Sequence, residues 1–125
     1  MIHNMEVHPT LFQILADSKF EFYLTGSKFF GGARIDSDHD FFVEDSEEVH
    51  AFLRNLGFEE VAFPKLYGGE TCTALYEIGS IHIQVVKNLD QKHRAQTWLA
   101  QNANMALVPK NARVHLWNAA MNACK

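Results

Sequence analysis

Two short hydrophobic runs, joined through a Gly-Ser step and an Asp-x-Asp pair, constrain this chain more than any other feature in it. The first run, Phe20 to Leu24, leads through Thr25 into Gly26-Ser27, and ten residues later Asp38-His39-Asp40 opens the second run, Phe41 to Val43. On extended backbone, alternation sets Asp38 and Asp40 on one face and His39 and Phe41 on the other. Two neighbouring carboxylates repel each other unless a cation lies between them. Mg²⁺ suits that space, because it takes hard oxygen ligands and shares them with phosphates. At the Gly-Ser end, glycine permits close backbone approach, and a following helix start offers free N–H groups and a positive dipole end to an anion. A phosphate cradle at one end and a metal pair at the other together suit a nucleoside triphosphate.

The pattern Gly26-Ser27, ten residues, Asp38-x-Asp40 resembles the signature of the minimal nucleotidyltransferases of the DNA polymerase β-like superfamily. The motif covers residues 26–40, and with its flanking strands the resemblance runs from about residue 20 to 86. It implies an α+β fold, a small mixed β-sheet flanked by helices and similar to the polymerase β palm. The chain then reads as one domain over residues 1–125, with its core at about 20–86 and C-terminal helices at about 90–123.

A length of 125 residues fits a single domain able to bury a core. The formal charge of −4 speaks against a general nucleic-acid surface, which carries a basic excess, though a local basic patch is compatible with it. No run is long and apolar enough to span a bilayer, and His3, Glu6 and His8 stand where a signal peptide needs a basic start and an apolar stretch. The expectation is a cytoplasmic protein without a membrane partner. Cys72 and Cys124 lack metal-type spacing and are read as free thiols in a reducing compartment. His3, His8, His50, His93 and His115 form no zinc-type set and are read as surface or core residues.

Thr10 and Gln13 make a capping-box pattern that predicts a short amphipathic helix ending near Asp17. A strand follows over Phe20–Thr25, a short helix over Ser27–Ala33 ended by Gly31-Gly32, and a strand over Ile35–Glu44. Asp45 and Glu48 predict a second capping box, with Val49, Phe52, Leu53 and Leu56 at helical spacing up to Gly57; Glu47, His50 and Arg54 make the solvated face. A short strand is expected over Phe58–Phe63 and a loop over Pro64–Gly69. Thr71–Ile78 and Ile81–Val86 read as a hairpin turned by Gly79-Ser80, with Ile81, Ile83 and Val85 on one face and His82, Gln84 and Val86 on the other. Asp90 can cap a helix to about Asn102, and Pro109 suits the first turn of a last helix carrying Val114, Trp117 and Met121.

The resemblance implies a third carboxylate on a later strand, opposite the Asp-x-Asp pair. The matching strand here is Ile81-His82-Ile83-Gln84-Val85-Val86, so His82 holds that position. Mg²⁺ disfavours imidazole. His82 then reads as a general base for an acceptor hydroxyl, with Glu77 or Glu70 as a replacement carboxylate in a second version and a reduced, binding-only site in a third. The expected activity is transfer of a nucleoside monophosphate from a nucleoside triphosphate to an acceptor hydroxyl, with Mg²⁺, or Mn²⁺ in its place, on Asp38 and Asp40. Gly26 and Ser27 would receive the phosphates. Lys28 and Arg34 are candidates for triphosphate contacts, with plain surface charge as the alternative, and Asp36 reads as a loop residue. The resemblance implies acceptors such as a protein hydroxyl, an RNA end or an aminoglycoside, and a partner protein or second copy to present them. Trp98, Leu99, Trp117 and Met121 serve either that interface or the core. The rival reading is a nucleotidyltransferase-fold protein that binds nucleotide or a partner without transfer.

Overall fold

The structure is a computed structural model that describes residues 2–31, 38–62 and 72–125. Its elements are α1 (Ile2–Asp17), β1 (Tyr23–Thr25), α2 (Ser27–Phe30), β2 (His39–Glu44), α3 (Glu47–Asn55), β3 (Glu59–Val61), β4 (Cys72–Ile78), β5 (Ile81–Val86), α4 (Leu89–Asn102), a 3₁₀ turn (Met105–Leu107) and α5 (Lys110–Ala123). The strands form one sheet in the order β1-β2-β5-β4-β3. Only β2 and β5 run parallel, and the other pairs are antiparallel. The protein is therefore α+β with a five-stranded mixed sheet.

Strand alternation sorts the side chains into two apolar layers. Val43, Ala74, Tyr76, Ile81, Ile83 and Val85 face α1 and α3, where Leu11, Leu15, Val49 and Leu53 close the layer. Phe42 and Val86 face the opposite way, against Leu89, Ala95 and Leu99 of α4 and Trp117, Ala120 and Met121 of α5. Ile81 and Ile83 are wholly buried, and each such side chain contributes roughly 1.5–3 kcal/mol of transfer free energy. Leu99, Trp117 and Met121 are thus core residues, and Trp98 packs against the same layer.

The hairpin forms as expected: Gly79 takes φ 53°, in the left-handed region that a two-residue turn needs. Helix α3 also forms, with Val49 and Leu53 inward, but its cap is Ser46, whose side chain accepts from the Val49 N–H at 3.1 Å. Asp45 instead meets His50 Nε2 at 2.8 Å, and His50 Nδ1 lies 2.6 Å from the Tyr76 hydroxyl. His50 is therefore drawn off the solvated face, because a buried tyrosine hydroxyl needs a partner. Likewise α4 is capped by Asn88, which accepts from the Gln91 N–H at 3.0 Å, while Asp90 sits in the first turn and pairs with Arg94 at 3.0 Å. Pro109 is the cap of α5 rather than its first residue.

Four further boundaries differ from the sequence expectation. Helix α1 starts at Ile2, so Thr10 lies inside it and Gln13 donates to Asp17 at 2.9 Å instead of closing a capping box. Strand β1 is only Tyr23–Thr25: Phe20 and Phe22 turn their rings onto Phe52 of α3, at 5.2 and 6.5 Å between centroids, which takes the chain off the ladder. The second strand begins at His39 and the short helix ends at Phe30. The expected loop at 64–69, together with Gly32, Ala33, Arg34, Asp36 and Glu70, lies outside the described residues. Among the described residues no helix is long and apolar enough to cross a membrane, and both cysteines are free thiols.

Candidate functional site

Strand register brings the predicted residues together. Asp40 pairs with Thr25 of β1 on one side and with His82 of β5 on the other; His82 pairs with Glu77 of β4, and Glu77 with Glu59 of β3. Directly paired residues share a face, so one polar rung, Thr25-Asp40-His82-Glu77-Glu59, crosses the sheet. It lies at the amino-terminal end of β2 and β5, on the face that carries Phe42 and Val86. The apolar residues flanking His82 in sequence, Ile81 and Ile83, anchor the opposite face, which fixes where the imidazole emerges.

His82 is the centre of the rung. Its Nδ1 lies 3.4 Å from Asp40 Oδ1 and 3.9 Å from Asp38 Oδ2, so both aspartates converge on one ring nitrogen. Its Nε2 lies 3.5 Å from Glu77 Oε2. Glu77 is therefore committed to the far side of the imidazole rather than to the aspartate pair. These separations are longer than a typical hydrogen bond. Among the described residues no three His, Cys, Asp or Glu side chains are arranged to hold a metal ion. His39, on the other face, packs against Phe12 with centroids 5.0 Å apart.

Gly26 joins the site by close approach. It precedes α2 with φ 70°, and a Cβ built on it would stand 2.3 Å from Asp40 Oδ2. Both the backbone angle and the contact exclude a side chain at this position. The Gly26 carbonyl accepts from the N–H groups of Phe29 and Phe30 at 3.0 Å each. Ser27 is the first residue of α2, and the cap position, Gly26, carries no side-chain hydrogen bond. Lys28 follows it in the same short helix, while Arg34 lies outside the described residues.

Helix α4 adds two residues that the sequence reading passed over. Its buried stripe is Leu89, Lys92, Ala95, Gln96 and Leu99. The Lys92 ammonium lies over the rings of Phe42 and Trp117, 5.3 and 4.7 Å from their centroids. Burial pushes it down to about 8, and the nearby Cys72 opposes that shift. Gln96 Nε2 donates to the Leu24 carbonyl at 2.8 Å, while its Oε1 is buried without a hydrogen-bond partner among the described residues. The signal was available: at i, i+3, i+6, i+7 and i+10 these positions share one helical face, so a polar residue among them had to be inward.

A cleft of about 400 Å³ opens at the opposite, carboxyl-terminal end of β2, beside the stacked rings of Tyr23 and His93. Its acidic groups are engaged locally: Glu21 accepts from the Tyr23 hydroxyl, Glu44 from the Leu89 N–H, and Asp45 and Asp90 pair with His50 and Arg94. It is separate from the Asp38-Asp40-His82 cluster.

Comparison of the chain with protein-family models, with curated proteins and with solved structures finds no match.

Proposed function

We propose that this protein is a nucleotidyltransferase-fold protein that transfers a nucleoside monophosphate from a nucleoside triphosphate to an acceptor hydroxyl. The observation that carries the reading is the convergence of Asp38 and Asp40 on His82 Nδ1, with Gly26 packed against the Asp40 carboxylate. A Gly-Ser step and an Asp-x-Asp pair twelve residues apart in sequence thus meet in space, as a triphosphate site requires.

Two aspartate carboxylates are the oxygen donors that suit Mg²⁺, so Asp38 and Asp40 are the residues that would hold it, with His82 unsuited as a third ligand. Bound there, the ion would supply charge neutralisation for the triphosphate and the leaving pyrophosphate. Gly26 offers a surface without a side chain, and Ser27 and Lys28 follow it toward the phosphates. His82 takes the proton of the acceptor hydroxyl as that oxygen bonds to the α-phosphorus and the bond to pyrophosphate breaks. Glu77, at the other ring nitrogen, holds the imidazole in orientation. Positioning and charge stabilisation account for the rate gain, with no covalent enzyme intermediate.

The same histidine favours a second reading, a reduced site that binds nucleotide or a partner without transfer, because an imidazole stands where the resemblance implies a carboxylate. Labelled ATP, CTP, GTP and UTP, with Mg²⁺ and then Mn²⁺, followed by incubation with cell lysate, separates the two. Label transfer that disappears in the Asp38→Ala, Asp40→Ala double variant supports the enzyme. Metal-dependent binding without transfer to any acceptor supports the binder, and absence of nucleotide binding refutes the enzyme and the nucleotide-binding form of the reduced site.

A further inference from the structure

We infer that Gln96 is a positioning residue of this site: from α4 it fixes the end of β1 and thereby the place of Gly26 against Asp40. The inference rests on the nucleotide reading for its functional consequence and on geometry for its cause.

Strand β1 is an edge strand of three residues, paired to β2 alone. So short an edge holds its register poorly by ladder bonds alone. Gln96 supplies a tie from a different element, its Nε2 donating to the Leu24 carbonyl at 2.8 Å. Leu24 precedes Gly26 by two residues, and the Gly26 carbonyl in turn carries the Phe29 and Phe30 N–H groups that begin α2. A displacement of β1 therefore moves the whole cradle relative to Asp40, where the Gly26 contact leaves no slack.

The energetics of the side chain point the same way. Gln96 is 1 % exposed, with one polar atom bonded and the other buried without a partner among the described residues. An orphaned buried acceptor cancels much of what one hydrogen bond contributes, so an apolar side chain of the same shape would serve the core about as well. The carboxamide is an inward polar group whose one bond goes to the strand that ends in the cradle, which assigns its use to the site rather than to the core.

The test compares wild type with Gln96→Met and Gln96→Leu, both of which lack the donor, as full chains. Amide hydrogen exchange over residues 23–31, the thermal midpoint, and titration with Mn²⁺–ATP, –CTP, –GTP and –UTP are measured on each. The expected result is exchange at least about tenfold faster at Phe29 and Phe30 and at least about tenfold weaker nucleotide binding, with the Gln96→Met midpoint within about 4 °C of wild type. Unchanged exchange at those amides overturns the inference. A large fall in midpoint with protection lost throughout the sheet in both variants also overturns it, since the role is then only structural. Faster exchange confined to β1 and α2 in a protein whose wild type binds no nucleotide supports the tie and refutes the nucleotide reading.

Discussion

Replacing Lys92 by methionine should make the protein more stable at neutral pH. Lys92 is 2 % exposed, and its pKa falls from 10.5 to about 8 because burial disfavours the charge. That difference corresponds to about 3 kcal/mol of linkage between protonation and folding. The folded-state pKa is depressed for a cationic group, so the unfolded chain holds more protons between pH 8 and 10.5, and stability rises with pH across that window. Below about pH 8 the penalty is complete; above about 10.5 it is gone. Methionine matches the stem without the charge but forfeits the cation–π contacts with Phe42 and Trp117, about 2 kcal/mol for a desolvated ammonium. The expected gain is therefore about 1 kcal/mol at pH 7, shrinking as pH approaches 10. Urea denaturation of wild type and Lys92→Met at pH 7, 8, 9 and 10 reads it directly. Titration of Tyr23 and Tyr76 is common to both proteins and drops out of the difference. A variant less stable than wild type at pH 7, or a difference that does not change with pH, would refute the account of a charge held at a cost.

Gly26→Ala should abolish nucleotide binding and cost about 1–3 kcal/mol, since its Cβ meets Asp40 at a backbone angle alanine resists; calorimetric binding and a denaturation curve check both. His82→Asp should raise Mg²⁺ affinity by about tenfold or more, because a carboxylate replaces an imidazole beside Asp38 and Asp40; an unchanged titration would show that His82 does not face the metal position. Ser46→Ala and Asn88→Ala should each lose about 1 kcal/mol of stability by urea denaturation, whereas Asp90→Ala, which breaks only a surface pair with Arg94, should change it by less than about 0.5 kcal/mol.

The sequence was most legible where one short-range rule decides the outcome. Gly79-Ser80 between two strand-length runs defines a hairpin, and alternation along Ile81–Val86 then tells which side chains share the face of His82. Caps were less legible. Asp45 and Ser46, or Asn88 and Asp90, offer the same acceptor chemistry within two residues, and the choice falls to the loop torsions that composition does not encode. Aromatic runs misled in a different way, since Phe20 and Phe22 carry strand propensity but gain more by packing on Phe52. In the site, the nearness of Asp38, Asp40 and His82 could be anticipated only through the resemblance, which implies a later-strand position opposite the Asp-x-Asp pair. The commitment of Glu77 to His82 could not, because it depends on which strands are neighbours. Lys92 and Gln96 escaped notice because polar residues in a helix are ordinarily assigned outward.

The rung of polar side chains across the sheet shares its strands with the best-buried aliphatic residues of the molecule. Any sliding of β5 by one position would carry Ile81 or Ile83 to where His82 stands, and would expose to water what the α1 and α3 layer now hides. The chemistry and the hydrophobic interior thus stand or fall in the same register. Replacing a rung residue leaves that interior untouched, so this line of positions is a place where reactivity can be rewritten while the scaffold keeps its shape.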